Sequence, residues 1–104
     1  MKPSIFILSC ANQKEAKKIG DALLKERIVI CVKCFPVQSS FLWKGKKQNA
    51  REVLLVMESI VSNFKKAEDL VKKLHSYETF VLESLPVTNI SKKAAEWIKK
   101  EIKT

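Results

Sequence analysis

The sequence predicts an α+β fold: one antiparallel sheet of four strands, two helices on a single face of it, and a further helix at the C-terminal end. Three observations predict it. Val53 to Met57 is a strand-length apolar run with no polar alternation, and a strand apolar on both sides needs cover on both faces and a neighbour at each edge. Ile5 to Leu8, Ile28 to Val32 and Phe80 to Leu82 are further short apolar runs that do not alternate cleanly. Two amphipathic segments fall between these runs, in the order strand, helix, strand, strand, helix, strand. That order is the split βαβ arrangement of ferredoxin-like folds, in which right-handed crossovers place both helices on one face. The helices cover one apolar face, so the other is expected to be covered by further copies of the chain.

The first strand spans Ile5 to Cys10, with Pro3 ahead of it where a missing ladder donor is tolerated. Asn12 is a good N-cap for the first helix, and Glu15 three residues on completes a variant of the capping box. Ala16, Ile19, Leu23 and Leu24 form its apolar stripe, with Lys14, Lys17, Lys18 and Lys25 largely on the other side and an end near Arg27. Ile28 to Trp43 is extended in character, and Pro36 within it argues for a bulge or for a sheet edge. Lys44-Gly-Lys-Lys47 is the turn, with Gly45 free to take a positive φ. The third strand runs from about Ala50 to Ser59, making a long hairpin with the second. Ser62 is read as the cap of the next helix, whose stripe is Phe64, Ala67, Leu70, Val71 and Leu74. A fourth strand follows from Thr79 to Val87, and a last helix starts at Ser91 with Ala94, Ala95, Ile98 and Ile102 on one side and Trp97 beside them.

A chain of 104 residues with 46% hydrophobic and 30% charged residues, 2 Gly and 3 Pro reads as one globular domain, 1–104, and excludes a disordered or collagen-like chain. No stretch approaches the roughly 20 apolar residues that span a bilayer, and Met1-Lys-Pro leads into too short an apolar run for a secretory leader. Three cysteines, an odd number, suit a reducing compartment. A cytoplasmic protein without a membrane partner is therefore expected. The net charge of +9 raises nucleic acid as a partner. Yet Lys65, Lys66, Lys72 and Lys73 face away from the apolar stripe of their helix, as solvated surface does. RNA recognition on such a sheet also needs exposed aromatics on the central strands, where this chain has Val53 to Met57; no nucleic-acid partner is expected.

Cys31-Val-Lys-Cys34 is a C-x2-C spacing, which elsewhere holds zinc or carries redox chemistry. On a strand, side chains three apart point to opposite faces, so the pair cannot grip one ion without a bulge. Cys31 alone reads as a small packed residue, or as a soft-cation ligand if Cys10 approaches it across the sheet. His75, the one histidine, lies at the C-terminal end of its helix, where a cation interacts well with the helix dipole. The alternative is that His75 and Tyr77 open onto a pocket with Glu52 or Glu58. No phosphate-binding loop, dinucleotide fingerprint, nucleophile elbow or HExxH motif is present.

Ser40-Phe-Leu-Trp43-Lys-Gly45-Lys46, then Glu52, then His75-Ser-Tyr77-Glu78, with Cys31 and the helix end Leu24-Lys-Glu-Arg27 before them, make a chain that resembles the CutA divalent-cation tolerance family from Ile5 to about Ile102. The resemblance implies a ferredoxin-like fold in a tight homotrimer built around the long hairpins, an architecture similar to trimeric PII signalling proteins. It implies a link to divalent metal, copper above all, without enzymatic activity or a required cofactor. It also implies a pocket at the subunit boundary that would include Cys31, Trp43, Glu52, His75 and Tyr77. Lys33 stands where the family usually has Asn, Ser76 where it has Pro, Thr79-Phe80 where it has a later Pro, and Glu58-Ser59 where it commonly has Lys-Thr. These exchanges leave the apolar pattern intact and bear on ligand preference.

Three functions are thus expected in turn. The first is a metal or small-ligand site at subunit interfaces, with Cys31 and His75 as metal donors and Lys33, Trp43, Glu52, Glu58 and Tyr77 as ligand-binding residues. The second is a PII-like sensor of an anionic effector held by Lys33 and the Lys44 to Lys47 turn. The third is an acid-base site made of Glu52, His75 and Tyr77.

Overall fold

The computed structural model describes residues 1–104. Its elements run β1 (Pro3–Cys10), α1 (Gln13–Lys25), β2 (Cys31–Trp43), β3 (Lys46–Ile60), α2 (Phe64–Leu74), β4 (Leu82–Pro86) and α3 (Lys92–Glu101), with a single 3-10 turn at Val61–Asn63 before α2. The four strands form one antiparallel sheet in the order β2-β3-β1-β4. The apolar run Val53 to Met57 therefore lies between two neighbours, as a strand of its composition requires.

Strict alternation of burial along β1 shows how the sheet divides. Ser4, Phe6, Leu8 and Cys10 are fully buried and the residues between them only half so. Register carries the buried set across to Val53, Leu55, Met57 and Ser59 on β3. With Ala16, Ile19 and Leu23 of α1 and Ala67 and Val71 of α2, the apolar members of these two rows make the core. Gly20 lets α1 come close to β2, since a Cβ there would lie 3.1 Å from Val32 Cγ1. The same register places Ile5, Ile7, Phe35, Leu54, Val56 and Leu85 on the opposite face. There Phe35 and Leu85 are 44% and 46% exposed. Only α3 lies along that second face: Ala94, Trp97 and Ile98 border a cavity with Lys33 and Glu58 at one corner of it.

Beyond the Cys10–Val53 pair, β2 and β3 run on without any other neighbour, from Val37↔Glu52 to Trp43↔Lys46. The result is a two-stranded arm that lengthens the molecule to 44 Å. Lys44 and Gly45 turn it, with φ of 50° and 78°, the pair of positive angles that a two-residue type I′ turn demands and that matches the twist of the strands. Phe41, Leu42 and Trp43 stand exposed near its tip.

Five boundaries differ from expectation. β1 starts at Pro3, not Ile5, because its ladder with β3 continues through Ser4↔Ser59 to Pro3↔Ile60. β2 starts at Cys31, not Ile28: Arg27 ends α1 in the left-handed region at φ 55°, the Ile28 amide turns back to Leu23 O at 3.0 Å, and Ser59 Oγ and Asn63 Nδ2 donate to Ile28 O. β3 starts four residues early, because the tight turn continues its ladder through the polar Lys46 to Asn49. α2 begins at Phe64 because Ser62 lies inside the 3-10 turn, and Asn63 at the cap position donates to Ile28 O and Lys103 O. β4 starts at Leu82, since Phe80 stacks on His75 at 5.4 Å between ring centroids. Pro36 sits in the edge strand β2 with unbroken register and no bulge. No helix is long and apolar enough to cross a membrane.

Candidate functional site

Where β1 ends, the N-terminus of α1 and the segment after α2 converge on Glu15. The Asn12 side chain accepts from Glu15 N at 2.8 Å, as the capping pattern predicts. The carboxylate reaches back to Ala11 N at 2.7 Å with one oxygen and receives Ser76 N at 2.6 Å with the other. Burial raises the Glu15 carboxyl, but the hydrogen bonds from Ser76 and Ala11 and the neighbouring His75 outweigh it and hold the pKa below its ordinary 4.5.

His75 is the C-cap of α2, its amide donating to Val71 O at 2.8 Å. The ring is fully buried. Tyr77 N donates to Nδ1 at 3.0 Å, which leaves Nε2 to carry the proton toward Ser9 O at 2.8 Å. Both ring nitrogens are thereby engaged by backbone, and Phe80 and Tyr77 pack on the ring. Tyr77 donates its hydroxyl to Glu52 Oε2 at 2.9 Å, and burial together with Glu52 pushes the phenol up to about 12. Cys10 lies fully buried beside this group, its thiol raised to about 12 by burial first and by Glu15 and Glu52 next.

The expected acid-base residues Glu52, His75 and Tyr77 are thus in one place. Cys31, Lys33 and Glu58 form a second group. Cys31 pairs with Glu58 across the ladder, and Lys33 Nζ lies 3.8 Å from Glu58 Oε2 and 3.8 Å from Cys31 Sγ. Along β3 the two groups, at Glu52 and Glu58, are six residues apart, ~20 Å at strand rise. Trp43 is a third location, six ladder steps beyond Glu52, roughly 20 Å. One chain does not unite the seven residues.

Cys10 does not approach Cys31: it lies opposite Val53 on the helix-covered face, whereas Cys31 lies opposite Glu58 on the other. Cys31 and Cys34 point to opposite faces, and all three cysteines are free. The metal-sized grouping in the chain is instead Cys10, Glu15 and His75, whose ligand atoms lie within 4.8 Å of one another. These residues fit a resident ion poorly as they stand: the thiol resists losing its proton and Nδ1 already accepts from Tyr77 N–H. Sequence reasoning gave Glu15 a capping role only, because its second partner, Ser76, is 61 positions away.

The description "CutA1 divalent ion tolerance protein" belongs to a family whose model matches residues 4–101. The divalent-cation tolerance protein CutA of Archaeoglobus fulgidus is 30% identical over 95 residues, 91% of this chain and 93% of that protein. Human protein CutA is 31% identical over 97 residues, of which this chain spans about half the length, 54%. Among solved structures, the A. fulgidus protein, described as periplasmic, superposes with a TM-score of 0.94 at 28% identity over 97% of this chain and 99% of that one. CutA1 from Oryza sativa superposes with a TM-score of 0.95 at 24% identity over 99% and 95%, a likeness of fold.

Proposed function

This chain belongs to the CutA1 divalent ion tolerance family, and we propose that it works as a non-enzymatic homotrimer that binds a divalent cation or a small ligand where its subunits meet. One observation carries the assembly: an apolar sheet face, partly covered by α3, continues into an arm with Phe41, Leu42 and Trp43 exposed. A two-stranded hairpin is marginal alone in water, and a contiguous apolar face of this kind marks an interface. Closed packing of three such faces, as in PII-like trimers, is the assembly in which residues separated within one chain become neighbours across subunits.

In that setting Cys31 is the more available metal donor. It is half-buried with only Lys33 Nζ near its sulfur, and a soft thiolate favours copper in its reduced form over harder ions. His75 would have to exchange the Tyr77 N–H for the ion. Lys33, Trp43, Glu52, Glu58 and Tyr77 are the ligand-binding set of the reading. A second reading, an anionic effector held as in PII-like sensors, is supported by Lys33 and the exposed Lys44, Lys46 and Lys47 at the arm's turn. An acid-base role for Glu52, His75 and Tyr77 is less favoured, because His75 has no free nitrogen and the Tyr77 phenol is held protonated. A reducing, cytoplasmic setting is proposed from the three free thiols.

Native mass spectrometry tests the metal reading: protein purified without chelator is titrated with copper and zinc ions beside Cys31→Ser. Integer metal uptake that Cys31→Ser abolishes is expected; weak uptake without saturation, equal in both proteins, overturns it.

A further inference from the structure

At the corner where α3 lies along the second sheet face, a cavity of about 260 Å³ is lined by Lys33, Glu58, Ile90, Ala94, Trp97 and Ile98. It holds one base, one acid and four apolar side chains. Lys33 Nζ and Glu58 Oε2 are 3.8 Å apart, longer than a hydrogen bond. The only other close partner of the ammonium is Cys31 Sγ, also at 3.8 Å. The Lys33 side chain keeps 64% of its surface and the Glu58 side chain 23%, so both charges reach the opening of the cavity. The two opposite charges thus face each other across the cavity mouth without a short hydrogen bond between them, and each can take a charged partner. Trp97, 45% exposed, presents aromatic surface at the same opening.

We propose that this cavity binds a free α-amino acid with an apolar side chain. The α-ammonium meets Glu58, the α-carboxylate meets Lys33, and the side chain lies among Trp97, Ile90 and Ala94. An α-amino acid carries its two charges on one carbon, close together as the Lys33 and Glu58 charges are. Set antiparallel to the protein pair, it completes a ring of four alternating charges and gives each protein group a short charged hydrogen bond. A simple amine would leave Lys33 without an anion, and a simple carboxylate would face Glu58. The volume lies just below the roughly 300–1,000 Å³ of drug-sized clefts, room for one amino acid and not for a peptide. The proposal rests on the reading above only for the membership of Lys33 and Glu58 in a ligand site. All six lining residues come from one chain, so it requires neither the trimer nor a metal.

Isothermal titration calorimetry of the wild-type protein with L-leucine, 4-methylpentanoate and 3-methylbutylamine tests it. Saturable leucine binding is expected, with each analogue, which lacks one of the two charges, weaker by about tenfold or more. Glu58→Gln and Lys33→Gln should each weaken leucine by a similar factor while far-UV circular dichroism stays unchanged; if either variant misfolds, the analogue series on the wild type decides alone. The proposal is overturned if neither leucine nor phenylalanine binds up to about 10 mM, or if 3-methylbutylamine binds as tightly as leucine. A trimer that takes up metal but not leucine refutes this inference and leaves the proposed function standing.

Discussion

Replacing Glu15 by Gln tests the idea that one carboxylate ties the N-terminus of α1 to the segment after α2. Its two oxygens receive Ala11 N at 2.7 Å and Ser76 N at 2.6 Å, and its side chain is 10% exposed, so solvent screens these bonds little. Hydrogen bonds to a charged group contribute about 1.5–3 kcal/mol each, and neutral ones about 1. Glutamine keeps one acceptor oxygen, turns that bond into a neutral one, and aims an amide donor at the other N–H. The loss is therefore about 2–5 kcal/mol, which for a domain of this size lowers Tm by roughly 10–25 °C. The sign of the pH dependence is fixed by the direction of the shift. The folded pKa lies below the ordinary 4.5, so the stabilisation is complete above 4.5 and is lost as pH falls through the folded value. Urea unfolding at fixed protein concentration, at pH 7 and again in acid below 4.5, should show the gap between wild type and Glu15→Gln narrowing in acid. Asn12→Ala, which removes the neutral cap, should cost about 1 kcal/mol at either pH. Equal stability of Glu15→Gln and wild type at pH 7, or a gap that does not change with pH, would refute the reasoning.

At the alkaline end the sign reverses. Cys10 and Tyr77 both have folded pKa values raised to about 12, from 9.0 and 10.0, so the stability they contribute is complete below pH 9.0 and lost as pH rises toward 12. Unfolding titrations across that window should show the decline, less steep in Cys10→Ala. Leu55, 1% exposed in the core, should cost about 2–5 kcal/mol on truncation to Ala, read as a lower urea midpoint with an unchanged slope. Gly45→Ala places a Cβ at φ +78° with no atom within 4 Å of it, so its cost is backbone strain alone, roughly 1–2 kcal/mol. A loss above that range would mean that the arm's turn is packed against something in solution.

Legibility in the sequence followed periodicity. α1 and α2 were readable because Ala16, Ile19 and Leu23, and then Ala67 and Val71, recur at helical spacing and are buried as that spacing demands. β3 was readable as a central strand because Val53 to Met57 is apolar on both faces, and it does lie between β2 and β1. Its polar first four residues carried no such signal; a turn of two residues with positive φ extends the ladder through them. The start of β4 was hidden because Phe80 is apolar for a different reason, as a stacking partner of His75. Buried polar groups were the least visible of all. Ser4 bonds Ser84 at 2.6 Å across 80 positions, and Asn63 joins Ile28 to Lys103, contacts that no local spacing announces. At the site, Glu52, His75 and Tyr77 were recognised and do meet. The part played by Glu15 and Cys10 depends on the strand end and two loops coming together, which lies outside the reach of any one segment.

Sedimentation velocity of wild type and Val56→Lys at micromolar concentration tests the central claim most directly, because Val56 pairs with Ile7 and Lys33 on the face that no helix of the core covers. A wild-type trimer that Val56→Lys dissociates into folded monomers is the predicted result. A wild-type protein that sediments as a stable monomer, with Val56→Lys identical to it, would contradict the claim that copies of the chain cover that face.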